Sequence, residues 1–266
     1  MIALEAGGVP VERLTEMAPG VLVATSAYAM TTSTVVAGAG ECLLIDPAVT
    51  VAELAALAAS LAELRLRPGV AWSTHPHWDH VLWSAELGDA PRYAAPAAVT
   101  ITETERDGMV DGAEKSAPGH DLSLLGRLRA LDASAIPWDG PAAQVIVHNG
   151  HAPGHGAVFL PGTGVLIAGD MCSDVEIPLL DTVEADPLGD YRTGLERLAS
   201  VPGVRQVVPG HGHVGDAAEF RRRLALDFAY LDALARGEPF ADPRLTEDCA
   251  QWLRDTHDEQ VRYYRR

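Results

Sequence analysis

An α/β fold built from two similar halves is what this sequence predicts, and three observations carry the prediction. Short β-branched or apolar runs bounded by glycine recur along the 266 residues. Helical apolar spacing accompanies such runs in both halves, with no obvious linker between them. Several of the strand-like runs end directly in histidine or aspartate. Hydrophobic residues make up 47% of the chain, enough for a sizeable core.

The elements follow in order. Residues 21–24, 33–37 and 42–45 read as strands, the last two separated by Gly38 and Gly40. Thr50 is a plausible N-cap for a helix whose apolar stripe is Leu54, Leu57, Ala58, Leu61 and Leu64. A strand at 70–73 runs into a histidine cluster. Residues 96–106 have helical character, whereas 107–141 mix Gly, Pro, Asp and Ser and read as an irregular insertion, a lid over the site or a decorated loop. Strands are expected again at 144–147, 157–160, 165–168 and 206–208. Helices are expected at 188–199 and 216–236, with a shorter one near 246–255. The whole chain, 1–266, reads as one domain.

Composition narrows the function. The net charge is −17 and Lys115 is the single lysine, so the surface repels phosphate backbones and nucleic acid is a poor partner. Cys42, Cys172 and Cys249 are odd in number and widely spaced, which argues for a reducing compartment. The opening residues lack a basic segment followed by a long apolar run, so no signal peptide is expected. The alanine-rich stretch 51–66 is too short and polar to span a bilayer. The reading is a cytoplasmic protein acting on a small molecule, with no membrane partner.

The densest chemistry lies in Ser73-Thr74-His75-Pro76-His77-Trp78-Asp79-His80. On extended backbone, residues two apart point the same way, so His75 and His77 can approach one metal together. Pro76 fixes the backbone between them. A helix starting just after would aim Asp79 and His80 at a second metal nearby. Imidazole and carboxylate suit a borderline cation such as zinc. Further ligand types stand near strand ends in Gly150-His151-Ala152-Pro153-Gly154-His155, in Gly169-Asp170 and in Pro209-Gly210-His211. Trp78 and Trp83 are candidate pocket walls, although aromatic residues near a helix start usually serve the core.

In this order, Leu44-Ile45-Asp46-Pro47, the His-x-His-x-Asp-His run, Pro-Gly-His155, Gly-Asp170 and Pro-Gly-His211 resemble the five motifs of the metallo-β-lactamase superfamily. The resemblance implies a four-layer αββα sandwich, two mixed sheets flanked by helices. It assigns His75, His77 and His155 to a first metal, Asp79, His80 and His211 to a second, and Asp170 as the bridge. Asp46 would brace the ligand loop from outside. The Pro-Gly-His pattern favours His155 over His151. Two divalent ions are implied, zinc foremost, with iron or manganese as alternatives.

Two such cations would supply an activated water near neutral pH, so hydrolysis needs no serine or cysteine nucleophile. Asp79 and Asp170 are then the catalytic carboxylates, Asp79 also returning a proton to the leaving group. Within the family, an aspartate at position 170 argues against β-lactam hydrolysis, and the acidic charge argues against the nucleases. A small-molecule ester, thioester or lactone hydrolase is the leading expectation. The alternatives are a persulfide dioxygenase, which resembles the motif set but uses one iron, and a small-molecule phosphodiesterase.

Overall fold

A computed structural model describes residues 14–265. The opening segment read above for a signal peptide lies outside the described residues. The first sheet runs in sequence order through β1 (Thr15–Ala18), β2 (Val21–Thr25), β3 (Thr32–Ala37), β4 (Glu41–Ile45), β5 (Arg67–Trp72), β6 (Arg92–Ala94) and β7 (Arg129–Ala130). It is antiparallel as far as β4 and parallel from β4 onward. The second sheet holds β8 (Gln144–His148), β9 (His155–Leu160), β10 (Val165–Gly169), β11 (Gln206–Pro209) and β12 (Gly215–Asp216), in the order β12-β11-β10-β9-β8. There β10 and β11 are parallel and the other pairs antiparallel. Both sheets are mixed, as expected.

The period of two residues per strand explains the layering. In β4, Leu43 and Ile45 turn inward and Cys42 and Leu44 outward; in β10, Val165 and Ile167 turn inward and Leu166 and Ala168 outward. The inward sets meet Val70, Trp72, Val158 and Val208 in a core between the sheets. The outward side chains of the first sheet meet Leu54, Leu57 and Leu61 of α1 (Val51–Glu63). Those of the second meet α4 (Pro187–Ala199), α5 (Ala217–Arg236) and α6 (Gln251–Tyr264). Two helices, α2 (Pro96–Thr104) and α3 (Arg106–Ser116), lie between these groups in sequence. The α1 start is a full capping box: Thr50 Oγ1 accepts from Glu53 N, and the Glu53 carboxylate accepts from Thr50 N.

Two stretches differ from expectation. Much of 107–116 is helix α3, whose Met109 and Ala113 pack with Val81, Leu82 and Leu125. Gly112 looks like a helix breaker in sequence, but a Cβ there would stand 2.9 Å from Cδ1 of Trp78, so the missing side chain admits the indole. The C-terminal helix begins at Gln251 and runs to Tyr264, later and longer than the 246–255 expected. Among the described residues no helix is long and apolar enough to cross a membrane.

Candidate metal centre

The site forms where strand ends from both sheets converge, and its frame begins with Asp46. This residue follows β4 with φ 47°. Its Oδ1 accepts from Thr74 N (2.8 Å), and Oδ2 accepts from Thr74 Oγ1 (2.6 Å) and pairs with His80 Nδ1 (3.0 Å). One buried carboxylate therefore holds both ends of the His75–His80 loop. Because Thr74 Oγ1 donates to Asp46, its lone pair is free for His75 Nδ1 at 3.0 Å, leaving His75 Nε2 to face inward. A single 3-10 turn, Trp78–His80, then sets Asp79 and His80.

The other imidazoles are oriented in the same way. His211 Nδ1 is tied to Ala29 O (2.9 Å) and His151 Nδ1 to Leu179 O (3.2 Å), so each points Nε2 into the site. His75 Nε2 and His151 Nε2 each stand 3.0 Å from His77 Nδ1. Asp170, just past β10, lies among them. Its Oδ2 is 3.4 Å from His75 Nε2, 3.3 Å from His151 Nε2 and 3.3 Å from His211 Nε2, while Oδ1 is 3.2 Å from His80 Nε2. Asp79 Oδ2 lies 3.5 Å from His211 Nε2 and is also 3.3 Å from Thr31 Oγ1.

These atoms fall into sets that could each hold a cation: His75, His77, His151 and Asp170; Asp79, His80 and His211; and Asp170, Glu176 and His211. Converging nitrogen lone pairs in a buried site repel one another unless a cation or proton lies between them, so the donor chemistry fits divalent metals. Asp170 Oδ1 is buried without a hydrogen-bond partner, as an atom kept for such an ion would be.

The structure brings together His75, His77, Asp79, His80, Asp170 and His211, with Asp46 behind them, but it does not bring in His155. His155 opens β9 opposite His148, and its ring is stacked between those of His148 (4.5 Å) and His75 (5.2 Å). Neither of its ring nitrogens has a partner. His151 takes the place assigned to His155. It lies in the turn after β8, with φ 71° aiming the ring inward. Two further residues escaped the sequence reading. Glu176, six residues past Asp170, is buried with Oε1 3.9 Å from His211 Nδ1; burial pushes its carboxyl up to about 7 against the pull of His211. Trp252 walls the cavity beside His77 and His151, whereas Trp83 is core and Trp78 packs edge-on against Tyr28.

Charge among the side chains of the site is uneven. Burial opposes protonation of both His80 and His211, but the surrounding carboxylates win. Asp170, Asp79 and Asp46 raise His80 to about 9, and Asp170, Glu176 and Asp79 raise His211 to about 11. Burial opposes ionisation of Asp170, yet His211, His80 and His75 hold its carboxyl well below the usual range. A metal ion taking Nε2 of His80 and His211 must displace both protons. Zinc added to metal-stripped protein at pH 7 is therefore expected to release about two protons per chain, with affinity rising as pH rises. Calorimetry in buffers of different ionisation enthalpy measures this, and uptake without proton release would rule these nitrogens out as ligands.

Paired histidine and aspartate clusters at strand ends of an αββα sandwich define a class of metal-binding proteins. The chain belongs to the metallo-beta-lactamase superfamily, whose family model matches residues 29–230. It is 30% identical over 199 residues to a hydroxyacylglutathione hydrolase of Roseobacter denitrificans, an alignment covering 75% of this chain and 68% of that protein. To the hydroxyacylglutathione hydrolase of Rhodobacter capsulatus it is 33% identical over 154 residues, 58% of this chain and only 51% of that protein. The crystal structure of TTHA1623 in a di-iron-bound form superposes with a TM-score of 0.59 at 27% identity, covering 76% of this chain and 97% of that one.

Proposed function

We propose that this protein is a metal-dependent hydrolase of small-molecule esters, thioesters or lactones, working with two divalent ions, zinc foremost. The observation that carries the proposal is Asp170, whose two oxygens reach both histidine sets within 3.4 Å. The resemblance to two hydroxyacylglutathione hydrolases supports thioesters within that class. The likeness to a di-iron protein supports a two-metal stoichiometry.

His75, His77 and His151 would hold one ion, Asp79, His80 and His211 the other, and Asp170 would serve both. Bound divalent ions supply a water of lowered pKa and polarise a carbonyl oxygen. The protein does the rest. Asp46 and the Ala29 and Leu179 carbonyls lock the imidazoles, so little reorganisation accompanies reaction. Asp79 Oδ2, close to Thr31 Oγ1 at the inner edge of the site, is placed to accept a proton from water and return it to the leaving group. The cavity past His77 and His151, about 430 Å³, has room for a small acyl compound.

Elemental analysis and a substrate panel test this reading together. Close to two metals per chain are expected, with acyl esters, thioesters or lactones cleaved faster than bis-aryl phosphodiesters. A single iron with oxygen consumption would replace the hydrolase with a dioxygenase. A wide preference for the phosphodiester would replace the acyl substrate class.

A further inference from the structure

The cavity leading to the metal ligands has a charge pattern opposed to an anionic thiol. Glu105, Asp181 and Glu184 stand on its walls with Leu179, Val183 and the indole of Trp252. No lysine or arginine is among the residues that line it. Asp181 Oδ1 accepts a hydrogen bond from Val183 N, and none of the three carboxylates is in an ion pair among the described residues. Trp252 is 47% exposed, unusual for so large an apolar ring, and it also borders a neighbouring cavity of about 390 Å³ with Asp174, Glu176 and Asp248. The cation there is Arg244, whose guanidinium is already bonded to Asp227 and Asp242. An exposed indole and three carboxylates lining one cavity beside the candidate metal ligands suit an organic cation better than an anion.

We infer that the arm of the substrate filling this cavity ends in an ammonium group, so the substrate is an amine-bearing ester or thioester rather than a glutathione conjugate. The inference rests on the hydrolase reading above and deepens it. A loaded metal centre is electropositive and the mouth is electronegative, so such a molecule enters with its carbonyl inward and its cation outward. Water adds to the acyl carbon, the C–S or C–O bond breaks, the thiol or alcohol leaves carrying one proton, and the other is released to solvent as the acid ionises to carboxylate. The carboxylate product then faces acidic walls that favour its departure. A glutathione arm has two carboxylates and one ammonium, and this cavity offers no cation to the carboxylates.

The test compares one acyl group on three thiols: thiocholine, an uncharged thiol of similar size, and glutathione, with zinc-loaded protein. The thiocholine ester is expected to exceed the glutathione ester in kcat/KM by about tenfold or more. Most of the difference should lie in KM, and it should shrink as salt is raised. Glu105→Gln, Asp181→Asn and Trp252→Leu should each narrow the ratio. Equal rates, a preference for the glutathione ester, or variants that leave the ratio unchanged would overturn the inference while the hydrolase reading stood. If neither these thioesters nor the matching oxygen esters and lactones were cleaved, the hydrolase reading would fall instead. Calorimetric binding of the matching S-methyl thioethers would still decide the charge preference: tighter binding of the thiocholine analogue supports it, and equal or weaker binding overturns it.

Discussion

Asp170→Asn is expected to lower turnover by on the order of 10³-fold or more while the sheet that carries it stays folded. The magnitude follows from position. Removing a group that only orients a ligand typically costs 10–100-fold in metal affinity or activity, roughly. Asp170 instead lies within 3.4 Å of His75, His151 and His211 through Oδ2 and of His80 through Oδ1, so it reaches both of the proposed ligand sets. The amide keeps the shape but loses the charge, and its NH2 group turns a donor toward imidazole nitrogens or a cation. Both sets should then lose affinity together. The β10 ladder is untouched, because its backbone pairs with β9 and β11 independently of this side chain. Circular dichroism should be near that of the parent, and metal content should fall well below two per chain. Full metal loading with normal turnover would show that Asp170 does not join the sets.

What the sequence made legible was short in range. The αββα layering is implied by the resemblance of the motifs; Cys42, Leu43, Leu44 and Ile45 are all apolar, and only the structure shows alternate side chains facing the two layers. His75, His77, Asp79 and His80 are five residues apart at most, and local geometry nearly suffices to gather them. Asp170 follows β10 directly and His211 lies two residues past β11, where α/β folds collect their sites. What stayed hidden depends on contacts distant in sequence. Glu176 has no spacing that marks it; it reaches His211 because Ser173 Oγ accepts from Val175 N and Glu176 N and donates to His211 O. Helix α3 was masked by Gly112, whose value appears only when Trp78 packs on it. Trp252 is remote from every motif and arrives at the cavity on α6.

The histidine exchange is the most instructive of these, and it sets the second large expected effect. His151 and His155 are four residues apart, and a pattern of neighbouring residue types favours His155. The strand-end rule favours His151, since β8 ends at His148 and β9 already begins at His155. Strand register then fixes His155 opposite His148, sealed inside the protein, whereas the turn between the strands leaves His151 free to face His77 and Asp170. The two alanine variants should therefore fail differently. His151→Ala removes one of the three imidazoles proposed to hold one ion, so metal content is expected to drop toward one and kcat/KM by roughly 10³-fold. In metal-stripped protein it should lose less thermal stability than His155→Ala, because its side chain, though buried, also lines the cavity. His155→Ala empties a fully buried site and costs about 2–4 kcal/mol through the cavity left behind, a fall in Tm on the order of 10 °C. Its metal content at a temperature where it stays folded should remain near that of the parent. Loss of metal in His155→Ala with retention in His151→Ala would return the ligand role to His155.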